Sequence, residues 1–529
     1  MYDVLIKGGT VIDGTGSPGF ISDVAISGGK IASIARRIEE GAKTVIDAGG
    51  LCVTPGFIDT HSHSDLMLLD NPHLEEKVRQ GVTTEVLGQD GLGLAPLASP
   101  EAKEMLQEHL AGLLGTPDIE WDWSSFAEYL KRYSRKGIIN NVGVLASHGA
   151  VRIAVMGMED RHASQDELNK MKEILDECMR SGALGLSTGL IYPPCCYAAF
   201  DELVELCKVV AEHSGALVVH VRNEADSIMD AHREMLEVAR ASGVHLHISH
   251  LKTIGKNNWG RAKEILDNLE NHKKEGLAIT ADQYPYIAGS TALSACLPPW
   301  VHAGGSHEML SRLSDPEERK KIRESFDHPT PSWEDRGKRE GWENVIVSSV
   351  GSNNPAIVGK SIAAIAAERG CDPIAAVMDI VLEEKNKATM VVFQNCEESL
   401  KEVMKRPWVM VGTDGIYGSG KPHPRLFGTF PRILGKYVRE EKVLFLEEAI
   451  RKMTGLPAAA FRLTDRGVLK EGLAADVAVF DPLRIADRAT FEEPRQYPDG
   501  ISHVLVNGIP VISDGKPTGN LPGQVLTAK

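Results

Sequence analysis

The chain has 529 residues, 42% hydrophobic and 25% charged, with a net charge of −15. That length exceeds one ordinary domain but accommodates a barrel of about 250 to 400 residues with a smaller satellite. The acidic balance and the lack of a clustered basic stripe exclude nucleic acid as a partner. No apolar run approaches the roughly 18 residues of a membrane span, and Met1–Gly9 lacks the basic flank and apolar core of a secretory signal. Eight cysteines without paired spacing beyond Cys195-Cys196 read as reduced thiols, so a cytoplasmic chain is expected.

In chain order, residues 2 to about 55 carry short β-like runs such as Asp3-Val4-Leu5-Ile6 and Asp23-Val24-Ala25-Ile26, separated by Gly, Asp and Ser turns. They predict a small antiparallel sheet module. From about 466 the texture returns in Ala475–Asp481, His503–Gly508 and Ile509–Ile512, so segments 1–55 and 466–529 are expected to join into one β-sandwich. Between them, over 56–465, strand candidates alternate with helical stretches, the pattern of an α/β fold with a parallel sheet. Strands are predicted near Phe57–His61, Val82–Gly88, Asn141–Ser147, Ala183–Thr188, Ala216–Arg222, His245–Leu251, Ala278–Tyr284 and Trp408–Asp414. Eight such units describe a (β/α)₈ barrel. Helices are predicted over Gln165–Ser181 and Phe200–His213. About 120 residues separate the last two strands, more than a βα unit needs, and the polar, Pro- and Gly-rich stretch at about 287–345 predicts an insertion over the mouth. Two further β-like runs, Val345–Ser349 and Met390–Phe393, leave the strand count open.

The chemistry sits at the strand ends. His61 and His63 lie two residues apart after an apolar run, so both imidazoles can face one ion. His220, His250 and Asp414 end three later runs, and together these residues describe a metal site at the C-terminal mouth of the barrel. Zinc suits such ligands and brings the pKa of a bound water toward about 7, while Asp414 can hold the proton and return it to a leaving nitrogen. His247 is out of phase with His250, and His148 and His245 have no comparable company. Gly415–Pro422 matches a phosphate loop except at its last position, where proline replaces the hydroxyl residue, so these glycines read as an active-site loop.

With these residues assembled, the chain resembles the amidohydrolase superfamily and, within it, the N-acyl-D-amino-acid deacylases (D-aminoacylases). The likeness runs nearly end to end, through Asp3–Gly14, Pro55–Asp65, Gly182–Gly189, His220–Glu224, Ile248–Lys252, Asp282–Tyr286, Leu297–Trp300, His423–Arg425, Gly428–Arg432 and Gly472–Pro482. It implies that His61 and His63 with Asp414 hold the more exposed metal and His220 with His250 the tighter zinc. It also implies substrate contacts from Lys252 and Tyr284, and a clamp on the substrate α-carboxylate from Arg425, whose planar fork can bind both oxygens.

One departure stands out. The deacylases carry an Asn-Cys-Gly triplet after the second strand whose cysteine binds or bridges the metals, whereas Gly88-Gln89-Asp90-Gly91 puts Asp90 there. A carboxylate can bridge two ions but is a harder ligand than a thiolate. Glu85 is a rival bridge on the opposite strand face, and the fourth strand offers no lysine for carboxylation. The resemblance implies hydrolysis of an N-acyl-D-amino acid by metal-bound hydroxide, with one or two zinc or other divalent ions per chain. The D preference comes from the resemblance alone. Asp90 keeps a cyclic-amide hydrolase in view, because hydantoinase-like relatives bridge their metals through oxygen. A metal-free, partner-binding scaffold is the remote alternative, and a homo-oligomer is left open.

Overall fold

The computed structural model describes residues 1–330, 333–351 and 353–528. Eight barrel strands stand where the alternation predicts them. They are Phe57–Asp59, Val82–Leu87, Asn141–Val144 with Ala146–Ser147, Gly185–Gly189, Ala216–His220, His245–Ile248, Ile279–Gln283 and Val409–Val411. Neighbouring strands pair in parallel in chain order. The ring closes between the first strand and the last, where Thr60 Oγ1 donates to Val411 O (3.1 Å) and the Asp414 N–H donates to His61 O (2.8 Å). Ala216–His220 is buried at every position, as expected of a parallel strand covered on both faces.

The helices follow from the same pattern. Gln165–Arg180 starts at a capping box, in which Ser164 accepts from the Glu167 N–H and Glu167 accepts from Ser164. It buries Leu168, Met171, Leu175, Cys178 and Met179, spaced to share one face, and each apolar side chain so buried contributes about 1.5–3 kcal/mol. Phe200–Glu212 packs beside it. None of the described helices is long and apolar enough to cross a membrane, and all eight cysteines are free thiols.

The two terminal segments share one nine-stranded sheet, with Cys52–Pro55 pairing antiparallel to Val477–Phe480. The expected antiparallel module is corrected to a mixed one. Tyr2–Val11 pairs antiparallel to Phe20–Ser27, yet parallel to Ala42–Asp47 over its first half and to Cys52–Pro55 over its second. An irregularity between Ile6 and Gly9 separates the two halves. Alternation sets which face is buried but not the direction of the neighbouring strand. The far end of the 466–529 segment also leaves this sheet: Val525–Leu526 pairs in parallel with Asn141–Val144 of the barrel. Lys529 lies outside the described residues.

The insertion extends beyond 345. Ala288–Ala292, Thr389–Phe393 and Val345–Ser349 form a three-stranded antiparallel sheet in that order, so both extra β-like runs belong to the insertion rather than to the barrel. Its helices, among them Ser306–Ser314, Pro316–Asp327, Ile362–Arg369 and Pro373–Glu383, enclose a separate apolar core that includes Leu313, Phe326, Val347, Ile380 and Met390. Of the expected insertion, Pro331 and Ser332 lie outside the described residues.

Candidate active site

Parallel barrel strands direct their C-terminal ends to one face, so residues distant in sequence meet at the mouth. There His61, His63, Asp90 and Asp414 bring one ligand-competent atom each to within 4.8 Å of one another, and Asp90, His220 and His250 do the same. Asp90 is common to both groups. Its Oδ2 lies 3.3 Å from His61 Nε2, 3.6 Å from His63 Nε2 and 3.8 Å from His250 Nε2. Asp414 Oδ1 stands 3.2 Å from His63 Nε2 and 3.7 Å from His61 Nε2, and His220 Nδ1 lies 2.8 Å from His250 Nε2.

Three of these residues hold left-handed backbone: Asp90 at φ 55°, His250 at 35° and Asp414 at 49°. Such conformations cost non-glycine residues about 1–3 kcal/mol each and persist where the surroundings enforce them. Here the enforcement is visible. Asp90 sits in a turn between Gly88 and Gly91, and a Cβ on Gly88 would come within 2.5 Å of Leu145 O. The His250 N–H donates to Asp282 Oδ1 (2.5 Å), and Asp414 is tied to His61 O.

The donors fit a divalent ion. His61 Nε2 and Asp90 Oδ1 are buried without a hydrogen-bond partner, a cost a coordinated cation would remove. Burial pushes His220 down to about 3, which leaves the neutral imidazole that coordination requires. Burial alone would raise Asp414, but Arg425 and His61 hold its carboxyl far below the usual range. Burial also works against a charged His63, yet Asp414 and Asp90 outweigh it and push that group up to about 9.

Around the cluster, Lys252 Nζ donates to Glu224 Oε1 (2.6 Å) and lies 3.0 Å from His250 Nδ1. Arg425, fully buried, rests its guanidinium 4.4 Å from the Tyr284 ring centroid and donates through Nη2 to Ser290 O (3.1 Å). Its Nη1 lies 2.8 Å from Asp414 Oδ2, so the guanidinium is paired with the candidate proton carrier, while Nε has no acceptor. All three of these residues line the mouth or touch a residue that does.

Glu85 faces away from the mouth and takes hydrogen bonds from Ser62 and Ser64 (2.5 Å each) and from Asn140 (2.8 Å). His247 lies beneath the cluster, 2.9 Å from Asp282 Oδ2, and helps hold the carboxylate that fixes His250. His148 contacts Thr188 and Glu202, and His245 contacts Thr280, both away from the mouth. Sequence reasoning assigned no role to Asp282, Glu224, Tyr192, Glu334 or Arg336. Glu224 had a usable signal, an acid four residues after a strand-end histidine. Glu334 and Arg336 had none, since the insertion delivers them from more than 100 residues away.

A sequence profile described as "Amidohydrolase family" matches residues 44–299 and 322–512. The chain is 35% identical to a D-aminoacylase of Alcaligenes xylosoxydans xylosoxydans over 99% of this chain and 97% of that one. An N-acyl-D-glutamate deacylase of the same organism is also 35% identical, covering 99% and 96%. The crystal structure of N-acyl-D-glutamate deacylase from Bordetella bronchiseptica, complexed with zinc and a phosphonate mimic of the tetrahedral intermediate, matches all of both chains at TM-score 0.83 and 34% identity. An L-hydantoinase from Arthrobacter aurescens, at 15% identity and TM-score 0.58, shares the fold alone. The chain thus belongs to the amidohydrolase family, in its D-aminoacylase branch.

Proposed function

We propose that this protein hydrolyses the amide bond of N-acyl-D-amino acids, giving a carboxylate and a free D-amino acid. The observation that carries the reading is the six-residue donor cluster with Arg425 beside it at one barrel mouth. His61, His63 and Asp414 would hold one ion and His220 and His250 the other, with Asp90 shared. Zinc bound there lowers the pKa of a water toward about 7 and polarises an acyl carbonyl. Asp414 accepts the proton of the attacking water and hands it to the departing nitrogen. Arg425 takes the substrate α-carboxylate, and its contact with Asp414 links the clamp to the proton carrier. Tyr284 supports the Arg425 plane, and Lys252, kept charged by Glu224, faces the acyl group. Residues 56–465 form the working unit, with 1–55 and most of 466–529 as its support.

Amine release by zinc-reconstituted protein from paired N-acetyl-D- and N-acetyl-L-amino acids, with a hydantoin alongside, tests this reading. Release from D substrates alone is expected. Ring opening of the hydantoin with silence on both enantiomers would instead make Asp90 the mark of a cyclic amidase.

A further inference from the structure

The space above the donor cluster shares Leu113, Tyr192 and Arg336 with an adjacent second cavity, whose walls include Ile191, Pro193, Ala295, Leu297 and Trp333. Arg336 is the only arginine or lysine among the described residues that line this second cavity. His109 and His302 also line it, and burial pushes both down to about 4, so they are uncharged at neutral pH.

The Arg336 charge is already engaged. Its Nη2 lies 2.5 Å from Glu334 Oε2 and 3.8 Å from Glu224 Oε2, and its Nη1 donates to Gln394 Oε1 (3.2 Å). Glu334 is anchored in turn, because its other oxygen accepts the Glu224 N–H at 2.7 Å. Glu224 is engaged by Lys252. Two buried carboxylates and two buried cations are therefore ion-paired with one another, although Arg336 Nη2, Glu334 Oε2 and Glu224 Oε2 have no aligned hydrogen bond. A third carboxylate brought in by an acidic substrate side chain would be desolvated with no free cation to meet it, which is strongly unfavourable. An apolar side chain would meet hydrocarbon walls and gain about 25 cal/mol per Å² covered.

We propose that this second cavity receives the substrate side chain, and that Glu334, by occupying Arg336, selects apolar D-amino acids over acidic ones. The inference rests on the deacylase reading above. It also decides a question that sequence identity leaves open, since relatives named for D-amino acids at large and for D-glutamate are equally similar.

The test compares kcat/KM of the zinc-loaded protein on N-acetyl-D-leucine and N-acetyl-D-methionine with that on N-acetyl-D-glutamate and N-acetyl-D-aspartate. An apolar preference of about 100-fold or more is expected. Glu334→Gln retains an oxygen for the Glu224 N–H but removes the charge that occupies Arg336, so the glutamate-to-leucine ratio should rise at least about tenfold. A general loss of folding or zinc would not move that ratio. Wild-type preference for acidic substrates, or an unmoved ratio in Glu334→Gln, overturns the inference and leaves the deacylase reading intact. If no N-acetyl-D substrate is cleaved, the deacylase reading fails. Calorimetric binding of N-acetyl-D-leucine and N-acetyl-D-glutamate to zinc-loaded Asp414→Asn still judges the cavity: tighter leucine binding supports it and tighter glutamate binding overturns it.

Discussion

Two layers of this barrel bury charge to the same depth and treat it in opposite ways. In the lower layer Lys77 Nζ reaches Asp59 Oδ2 (2.5 Å), Ser62 Oγ (2.9 Å) and Thr413 Oγ1 (2.5 Å), while Asp59 and Glu85 take further donors from Thr413, Ser64 and Asn140. Every polar side-chain atom of Lys77, Asp59 and Glu85 has a partner. One layer higher, Nε2 of His61 and one oxygen of Asp90 have none. Buried charge is therefore a poor guide to function by itself. The informative property is valence left unmet, because a structure retains that cost where a ligand removes it.

Breaking the upper layer should have the largest effect. His220→Ala should remove bound zinc and lower turnover by about 10³-fold or more, measured as metal per protein and amine release on the same sample; an active, zinc-loaded variant would refute the assignment. Breaking the lower layer should affect folding instead. Lys77→Met leaves Asp59 and Glu85 buried without their cation, at a cost of about 3–5 kcal/mol in urea unfolding, while the fraction that folds still binds zinc. A change confined to the clamp should be smallest. Arg425→Lys keeps the charge but loses the planar fork, so KM for an N-acyl-D-amino acid should rise about tenfold with zinc content unchanged; an unaltered KM would show that the α-carboxylate binds elsewhere.

Much of this arrangement is legible in the sequence because a parallel barrel converts strand ends into site positions. His61, His220 and Asp414 could be read as neighbours once their runs were taken as strands of one ring. Strand parity favoured Asp90 over Glu85 on the assumption of an unbroken strand, whereas the strand ends at Leu87 and the left-handed turn at Gly88 and Asp90 sets the direction of Asp90, with Glu85 held by Ser62 and Ser64. What stayed hidden follows no local period. Arg336 and Glu334 meet Glu224 through a loop of the insertion. The far edge of that insertion was misplaced because Thr389–Phe393, which looks like a barrel strand in isolation, pairs on both sides within the insertion's own sheet. Strand direction in the terminal module was equally silent, since a buried strand shows the same residues to a parallel or an antiparallel neighbour.

The short strand Val525–Leu526 bears on how the molecule is made. It completes the floor of the barrel beside Asn141–Val144, and Gln524 bonds to Asn141 across 383 residues of chain. A nascent chain grows at about 5–20 residues per second, so the third barrel strand waits tens of seconds on the ribosome for its last neighbour. During that interval the edge of Asn141–Val144 is open to other strands. Covering of that edge by Val525–Leu526 is thus a late event relative to the strand it protects.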